Sequence, residues 1–333
     1  MARYGIDAEE TVQFFPTVGW REEGGWRVRV HGWIYAPVQY SRVRRAAMWL
    51  ARRALVRRVH KGADDATLRS RLGAFFADSE RGERLRILCG GREFVMNRSR
   101  PDGHFEGWIS LTDRQVDDAA SVDGTVKWMD FRACTMDGDP RQFVGRAMLL
   151  ETSGVSLISD IDDTVKITGV LEPRAVLRST FCEAFACVPG MAALYSRLRR
   201  EHDAAFHYVS ASPWQLYPFL AEGLTAAGFP LGSFHLRRLR FRGRNLLSAF
   251  VTSAHVKRRH LRELLQRFPH RRFILIGDSG EQDGEVYAAL ARKFPQQVLG
   301  IYIRDAGGVN RDWSQVFRDV PNWHLFDDPA SLG

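Results

Sequence analysis

From about Val155 the chain alternates apolar, strand-like runs with amphipathic helical ones, and few architectures accept that order. The runs are VSLIS, GMAALYSRLRRE, AFHYVS and WQLYPFLAEGLTAAG, then VKRRHLRELLQRF, RFILIG, GEVYAALARKF and VLGIYIR. Strands alternating with helices predict a parallel, doubly wound sheet. Ligands of such sheets bind beyond the carboxyl ends of the strands. A chemical motif here therefore carries weight where it directly follows a strand.

The first half has a different grammar. Short β segments are expected at Val12–Phe15, Trp26–Tyr35, Arg84–Leu88, Glu93–Asn97, Phe105–Leu111 and Phe143–Leu150, separated by turns such as Arg100-Pro101-Asp102-Gly103. The expectation is a β-rich, sandwich-like domain over 1–152, followed by the α/β domain over 153–333. One helical stretch, Arg42–His60, interrupts the β pattern. Its wheel puts Arg42, Arg45, Arg52, Arg53 and Arg57 on one side and Ala47, Leu50, Ala51, Ala54 and Leu55 on the other. Such a helix can rest on anionic lipid, or pack on its own domain with a solvated basic face; the plainer second reading is the expectation.

The formal charge of +9 is carried mostly by arginine. It would draw phosphate-rich partners, whether nucleic acid, lipid headgroups or phosphorylated substrates, and charge alone does not choose among them. A GC-rich coding sequence would give the same bias. Cys89, Cys134, Cys182 and Cys187 are scattered, with no second ligand pair at zinc-finger spacing, so a reduced intracellular protein is expected. Acids in MARYGIDAEETVQFF stand where a signal peptide needs an apolar core, and no apolar run approaches the roughly 20 residues that span a bilayer. A cytoplasmic protein follows, with any membrane contact peripheral.

Four short pieces fall where a parallel sheet would use them. Asp160-Ile161-Asp162-Asp163-Thr164 follows VSLIS directly. Three carboxylates in four residues repel one another at a strand end unless a cation sits among them. Ser210 closes AFHYVS, Lys257 opens a helix, and Gly277-Asp278-Ser279-Gly280-Glu281-Gln282-Asp283 follows RFILI. Alone, the acidic run could be a surface turn, the serine a cap and the lysine a solvated side chain. Their order carries the argument: D-x-D-x-T, Ser, Lys, then G-D-x-x-x-x-D resembles the four motifs of the haloacid-dehalogenase superfamily. GDSG also looks like a chymotrypsin-type nucleophile loop, but Glu281 follows instead of Gly, no matching His segment precedes it, and the α/β setting is wrong for it.

That resemblance implies roles. Asp160 attacks phosphorus and becomes an aspartyl-phosphate, and Asp162 protonates the leaving oxygen and later activates water. Mg²⁺ sits on Asp160, the Asp162 carbonyl and Asp278, with Asp283 a ligand or support. Ser210 binds a phosphoryl oxygen and Lys257 offsets its charge. Thr164, Ser212, Arg237 and Arg240 are the substrate-binding candidates. Ion-pumping relatives carry Thr at the second Asp, so Asp162 implies a phosphatase.

The wording around the motifs is narrower still. DIDDTVKITGV, TFCEAF, VPGMAALY, FHYVSASPWQLYPFL and LRELLQRFPHRRFILIGDSGEQDGEVY resemble the catalytic domain of the actin-patch-associated phosphatidate phosphatase family, and FFPTVGW and GWRVRVHGWIYAP resemble its leading segment. This implies Mg²⁺-dependent conversion of phosphatidate to diacylglycerol and phosphate. Gly284 departs from it, standing where Pro is expected. No proline-rich or actin-binding tail is seen, so cytoskeletal partners do not carry over. Roughly 45 residues lie between the first motif and Ser210, and a similar number between Ser210 and Lys257, which leaves little for a large cap and suits a headgroup still in a bilayer. Arg237, Arg238, Arg240, Arg242 and Arg244, near the expected mouth, could hold an anionic membrane or form a solvated loop. The expected partner is an anionic phospholipid or membrane surface, without nucleic acid. Two alternatives stay open: the same mechanism on a soluble phosphomonoester or phosphoprotein, and an anionic-lipid-binding module with incidental hydrolysis.

Overall fold

The computed structural model describes residues 6–59, 65–239 and 254–332. The chain divides into two units, Met1–Leu50 with Gly73–Glu151 and Ala51–Leu72 with Thr152–Gly333.

The first unit is built on a mainly antiparallel sheet. In chain order its strands are β1 (Thr11–Phe14), β2 (Thr17–Glu22), β3 (Gly25–Ala36), β4 (Asp78–Ser79), β5 (Arg86–Cys89), β6 (Arg92–Val95), β7 (His104–Leu111), β8 (Ser121–Asp123), β9 (Val126–Ala133) and β10 (Val144–Leu150). The spine runs β1-β3-β2-β10-β9-β5-β6, with β4 and β7 on β3 and β8 on β9. Only β10 and β2 pair in parallel among these strands. Strand β3 organises the sheet: Val28 and Val30 are fully buried while Arg27 and Arg29 are half-buried on the other face, and the strand stays buried from Val30 through Ile34. Pro16 breaks the strand that would otherwise join β1 to β2, since it has no N–H for a ladder. Helices α1 (Arg42–Val59), α2 (Asp65–Phe76) and α3 (Asp113–Ala119) interrupt the β pattern where a single helix was expected. A Thr112–Gln115 capping box starts α3.

The two-faced reading of the first helix needs correction. Only Leu55 is buried on α1, while Leu50, assigned to the packed side, is 61% exposed. Ala47 and Ala51 are half-buried beside Leu55, so the apolar side does pack, with Leu50 and Ala54 left exposed at its edge.

The second unit holds a fully parallel sheet of β11 (Ser153–Ser159), β12 (Ala205–Pro213), β13 (Gly232–Arg237), β14 (His270–Asp278), β15 (Val298–Arg304) and β16 (Trp323–Phe326), in spatial order β13-β12-β11-β14-β15-β16. Between them lie α4 (Pro173–Phe181), α5 (Met191–His202), α6 (Tyr217–Ala226), α7 (Ala254–Arg267), α8 (Asp283–Lys293) and α9 (Trp313–Val316). Strand β14 reads as a continuous apolar run, and Phe273, Ile274, Leu275 and Ile276 are all buried, as a central parallel strand requires. Burying each contributes about 1.5–3 kcal/mol. From β11 the chain winds outward through β12 and β13, then returns to the other side of β11 as β14. That reversal beside β11 is the switch point at which α/β sheets hold ligands.

Candidate active site

Three adjacent strands end at this switch point, each delivering one motif. Asp160 follows β11, and its N–H donates to the Ile276 carbonyl of β14 at 2.9 Å, so its side chain is fixed between strands. Ser210 lies on β12, which runs on to Pro213 with a break in register after Val209, rather than ending at the serine. Asp278 closes β14, and Asp283 opens α8 five residues later. Lys257 lies in the first turn of α7, a helix that packs on β12.

These pieces converge on one buried lysine. Lys257 Nζ lies 2.6 Å from Asp160 Oδ1 and 2.9 Å from Asp283 Oδ1, and it also pairs with Glu281. Asp160, Asp278, Glu281 and Asp283 each offer an oxygen within 4.8 Å of the others. One ammonium cannot neutralise four carboxylates. Burial pushes the Asp160 carboxyl well above its usual range, against the pull of Lys257 and with repulsion from Asp283, Glu281 and Asp278. Burial and the neighbouring Asp283 push Asp278 up to about 8, and burial pushes Glu281 to about 7 against the pull of Lys257. Burial alone would lower Lys257, but Asp160, Asp283 and Glu281 hold its ammonium well above the ordinary value.

A divalent cation fits this donor set. Asp278 Oδ1 is buried with no hydrogen-bond donor among the described residues, and Asp160 Oδ1 faces only the Lys257 ammonium. The other Asp278 oxygen accepts the Gly280 and Glu281 N–H groups at 2.6 and 3.2 Å, which aims the free one inward. Hard carboxylate oxygens suit Mg²⁺ or Ca²⁺.

Asp162 is set apart from this cluster. Thr168 donates to its Oδ1 at 2.8 Å, and Ser210 and Ser212 donate to its Oδ2 at 3.0 and 2.9 Å. Burial would raise its carboxyl, but Lys166 and these three hydroxyls outweigh burial and leave it below the usual range. Lys166 itself is buried, 3.9 Å from Asp162 and hydrogen-bonded to Thr168. Thr164 donates to Asp160 Oδ2 at 3.2 Å.

The third carboxylate of the motif holds the loop. Asp163, at φ +53°, accepts the N–H groups of Thr168, Gly169 and Val170 at 2.7, 2.9 and 2.6 Å. Asp163→Asn tolerates the left-handed backbone but replaces one acceptor with an N–H₂ that cannot take a backbone N–H. The variant is expected to lose about 1–3 kcal/mol in urea unfolding. Turnover should fall with it, because Thr168 orients Asp162 from the same loop. Unchanged unfolding and turnover would show that Asp163 does not hold it.

The structure thus brings together Asp160, Asp162, Thr164, Ser210, Ser212, Lys257, Asp278 and Asp283. Arg237 ends β13, where burial lowers its guanidinium from the usual range. Arg240, Arg242 and Arg244 lie outside the described residues. Glu281, Lys166 and Thr168 were not anticipated. Glu281 had a signal, a third acid between the two of G-D-x-x-x-x-D; Lys166 and Thr168 had only their nearness to it. A cavity of about 280 Å³ opens beside the cluster, lined by Val170, Lys257, Gly280, Glu281, Gln282, Asp283 and Arg311. At Gly284 any side chain would collide with Trp313, so Pro has no room there.

Residues 155–305 match the family of the phosphatidate phosphatase APP1 catalytic domain. The chain is 37% identical over 169 residues, half its length, to phosphatidate phosphatase APP1 of Saccharomyces cerevisiae, and equally to an uncharacterised protein of Schizosaccharomyces pombe. The alignment spans 28% and 27% of those relatives, so the chain covers about a quarter of their length. Among solved structures, a 2,6-sialyltransferase of a Photobacterium species aligns over 73% of this chain and 48% of that one, with 9% identity and a TM-score of 0.27, too low to bear on the fold. Residues 155–305, which carry every motif of the acidic site, are thus similar to the catalytic domain of phosphatidate phosphatase APP1.

Proposed function

We propose that the chain is a Mg²⁺-dependent phosphatidate phosphatase working through an aspartyl-phosphate, with a haloacid-dehalogenase-like, doubly wound catalytic domain over 153–333 and a β-rich, sandwich-like domain over 1–152. The observation that carries the reading is the meeting of Asp160, Lys257, Asp278 and Asp283 at the switch point of the parallel sheet, inside the stretch that matches the family. The name of the yeast relative supplies the substrate class.

Asp160 attacks phosphorus as the bond to the lipid oxygen breaks. Asp162 gives that oxygen a proton, releasing diacylglycerol. Asp162 then takes a proton from water, which attacks phosphorus and breaks the Asp160–phosphorus bond, leaving phosphate and the starting carboxylates. At rest Asp162 is held ionised by Lys166 and three hydroxyls. The negative charge of an arriving phosphate ester favours its protonated form, and Ser210 is then placed to donate to a phosphoryl oxygen. Thr164 and Ser212 steady the two aspartates, with Arg237 and Arg240 assigned to the mouth. The cation, held by Asp160, Asp278 and Asp283 with the Asp162 carbonyl, neutralises phosphoryl charge when bound. Lys257 positions the nucleophile and opposes its protonation.

No helix among the described residues is long and apolar enough to cross a membrane. We also propose that the enzyme is cytoplasmic and meets anionic phospholipid peripherally, where its proposed lipid substrate lies. The deciding experiment is phosphate release from phosphatidate in mixed micelles with Mg²⁺ and with EDTA. Release that EDTA abolishes is expected. An enzyme inert on phosphatidate but active on a small chromogenic phosphate would keep the site and overturn the lipid assignment in favour of a soluble phosphomonoester.

A further inference from the structure

We propose that the outward face of helix α1 is a docking surface for anionic lipid bilayers. This deepens the lipid reading above by naming the surface that meets the membrane.

The helix carries seven arginines and no acidic residue over 18 positions. It rests on the protein through buried Leu55 and half-buried Ala47, Met48 and Ala51, with Arg44 bonded to Asp78 and Arg52 to Asp65. Turned away from Leu55, Val43, Leu50 and Ala54 share one line of the helix (i, i+7, i+11), with Val43 80% and Leu50 61% exposed. Arg42, Arg53 and Arg57 form the neighbouring line, also exposed. An apolar stripe left in water is costly unless something covers it, and the arginines beside it select an anionic cover.

The chemistry selects the occupant. Nucleic acid would satisfy the arginines and leave Val43 and Leu50 wet. A second copy of the chain would cover the apolar stripe but oppose arginine to arginine, on a protein already at +9. A bilayer with anionic headgroups takes both at once, with apolar side chains at the acyl boundary and guanidinium groups among the phosphates.

The test is cosedimentation of the full chain with vesicles of phosphatidylcholine alone and of phosphatidylcholine with phosphatidylserine, which is not the proposed substrate. Binding to the anionic vesicles, weakened by salt, is expected. Val43→Ala with Leu50→Ala should weaken it about tenfold, because exposed apolar area no longer enters the boundary. Replacing Arg42, Arg53 and Arg57 with Gln should weaken it about a hundredfold, at about fivefold for each cation, and flatten the salt dependence. Both variants should hydrolyse a small chromogenic phosphate at the wild-type rate. No binding to anionic vesicles, or binding that the apolar pair leaves unchanged, overturns the proposal. Retention by a polyanion such as heparin but not by vesicles overturns it in favour of nucleic acid. Inactivity toward every phosphate ester would sink the phosphatase reading and leave the vesicle result standing.

Discussion

Asp160→Asn should cut phosphate release by about 10⁴-fold or more, the scale on which loss of a covalent nucleophile acts. The amide cannot attack phosphorus, and the change is nearly isosteric, so the loss is not one of packing. Stability should move the other way in metal-free protein. Asp160 is one of four carboxylates around a single lysine, its side chain 1% exposed and its carboxyl pushed up by burial. Neutralising it relieves repulsion from Asp278, Glu281 and Asp283 while Lys257 keeps two partners. Thermal unfolding in EDTA should therefore occur at or above the wild-type temperature. Activity lost together with stability would make Asp160 a structural carboxylate and remove the nucleophile from the mechanism.

The catalytic half was legible because its signals are redundant. The apolar run of β14 and the acids that follow it are local, and a parallel sheet places such strand ends together whatever lies between them. Glu281 escaped because a third acid in an acidic loop has no local mark that turns it inward. Only the hydrogen bonds of the Gly280 and Glu281 N–H groups to Asp278 bend the loop that way. Lys166 and Thr168 escaped for a related reason, since the Asp163 turn that brings them to Asp162 needs a left-handed residue no periodicity announces.

The β-rich half was read less completely. Strand β9 alternates cleanly, with Met129, Phe131 and Ala133 inward and Asp130 and Arg132 outward, yet its charges hide the apolar face from a search for apolar runs. Strand β2 was missed because Gly19 interrupts its pattern; any side chain there would crowd Leu149 of the parallel neighbour β10. On α1 the wheel placed Ala47, Ala51 and Leu55 on the side that packs, but Arg44 lies on that side too, and Leu50 and Ala54 are left exposed at its edge. How wide a stripe is covered depends on contacts distant in sequence.

Lys257→Met should destabilise the metal-free protein by about 3–5 kcal/mol, because removing one partner of a buried ion pair leaves uncompensated charge. Methionine roughly matches the volume, so what is lost is the cation for Asp160, Glu281 and Asp283. The carboxylates respond by binding protons. Glu281 and Asp278 already stand near 7 and 8, raised above their unfolded values, so the folded state holds protons that the unfolded chain has released. Stability contributed in this way is present below the unfolded values near 4 and is lost as pH rises toward about 8. The deficit of the variant should therefore be larger at pH 8 than at pH 6. Mg²⁺ should restore part of it, since a cation at a hundred times its dissociation constant adds about 2.7 kcal/mol. Urea unfolding in EDTA and in Mg²⁺ at both pH values reads all three effects. If Lys257→Met unfolds like wild type in EDTA at pH 8, the lysine does not offset the carboxylates, and the case for a cation completing the same cluster falls with it.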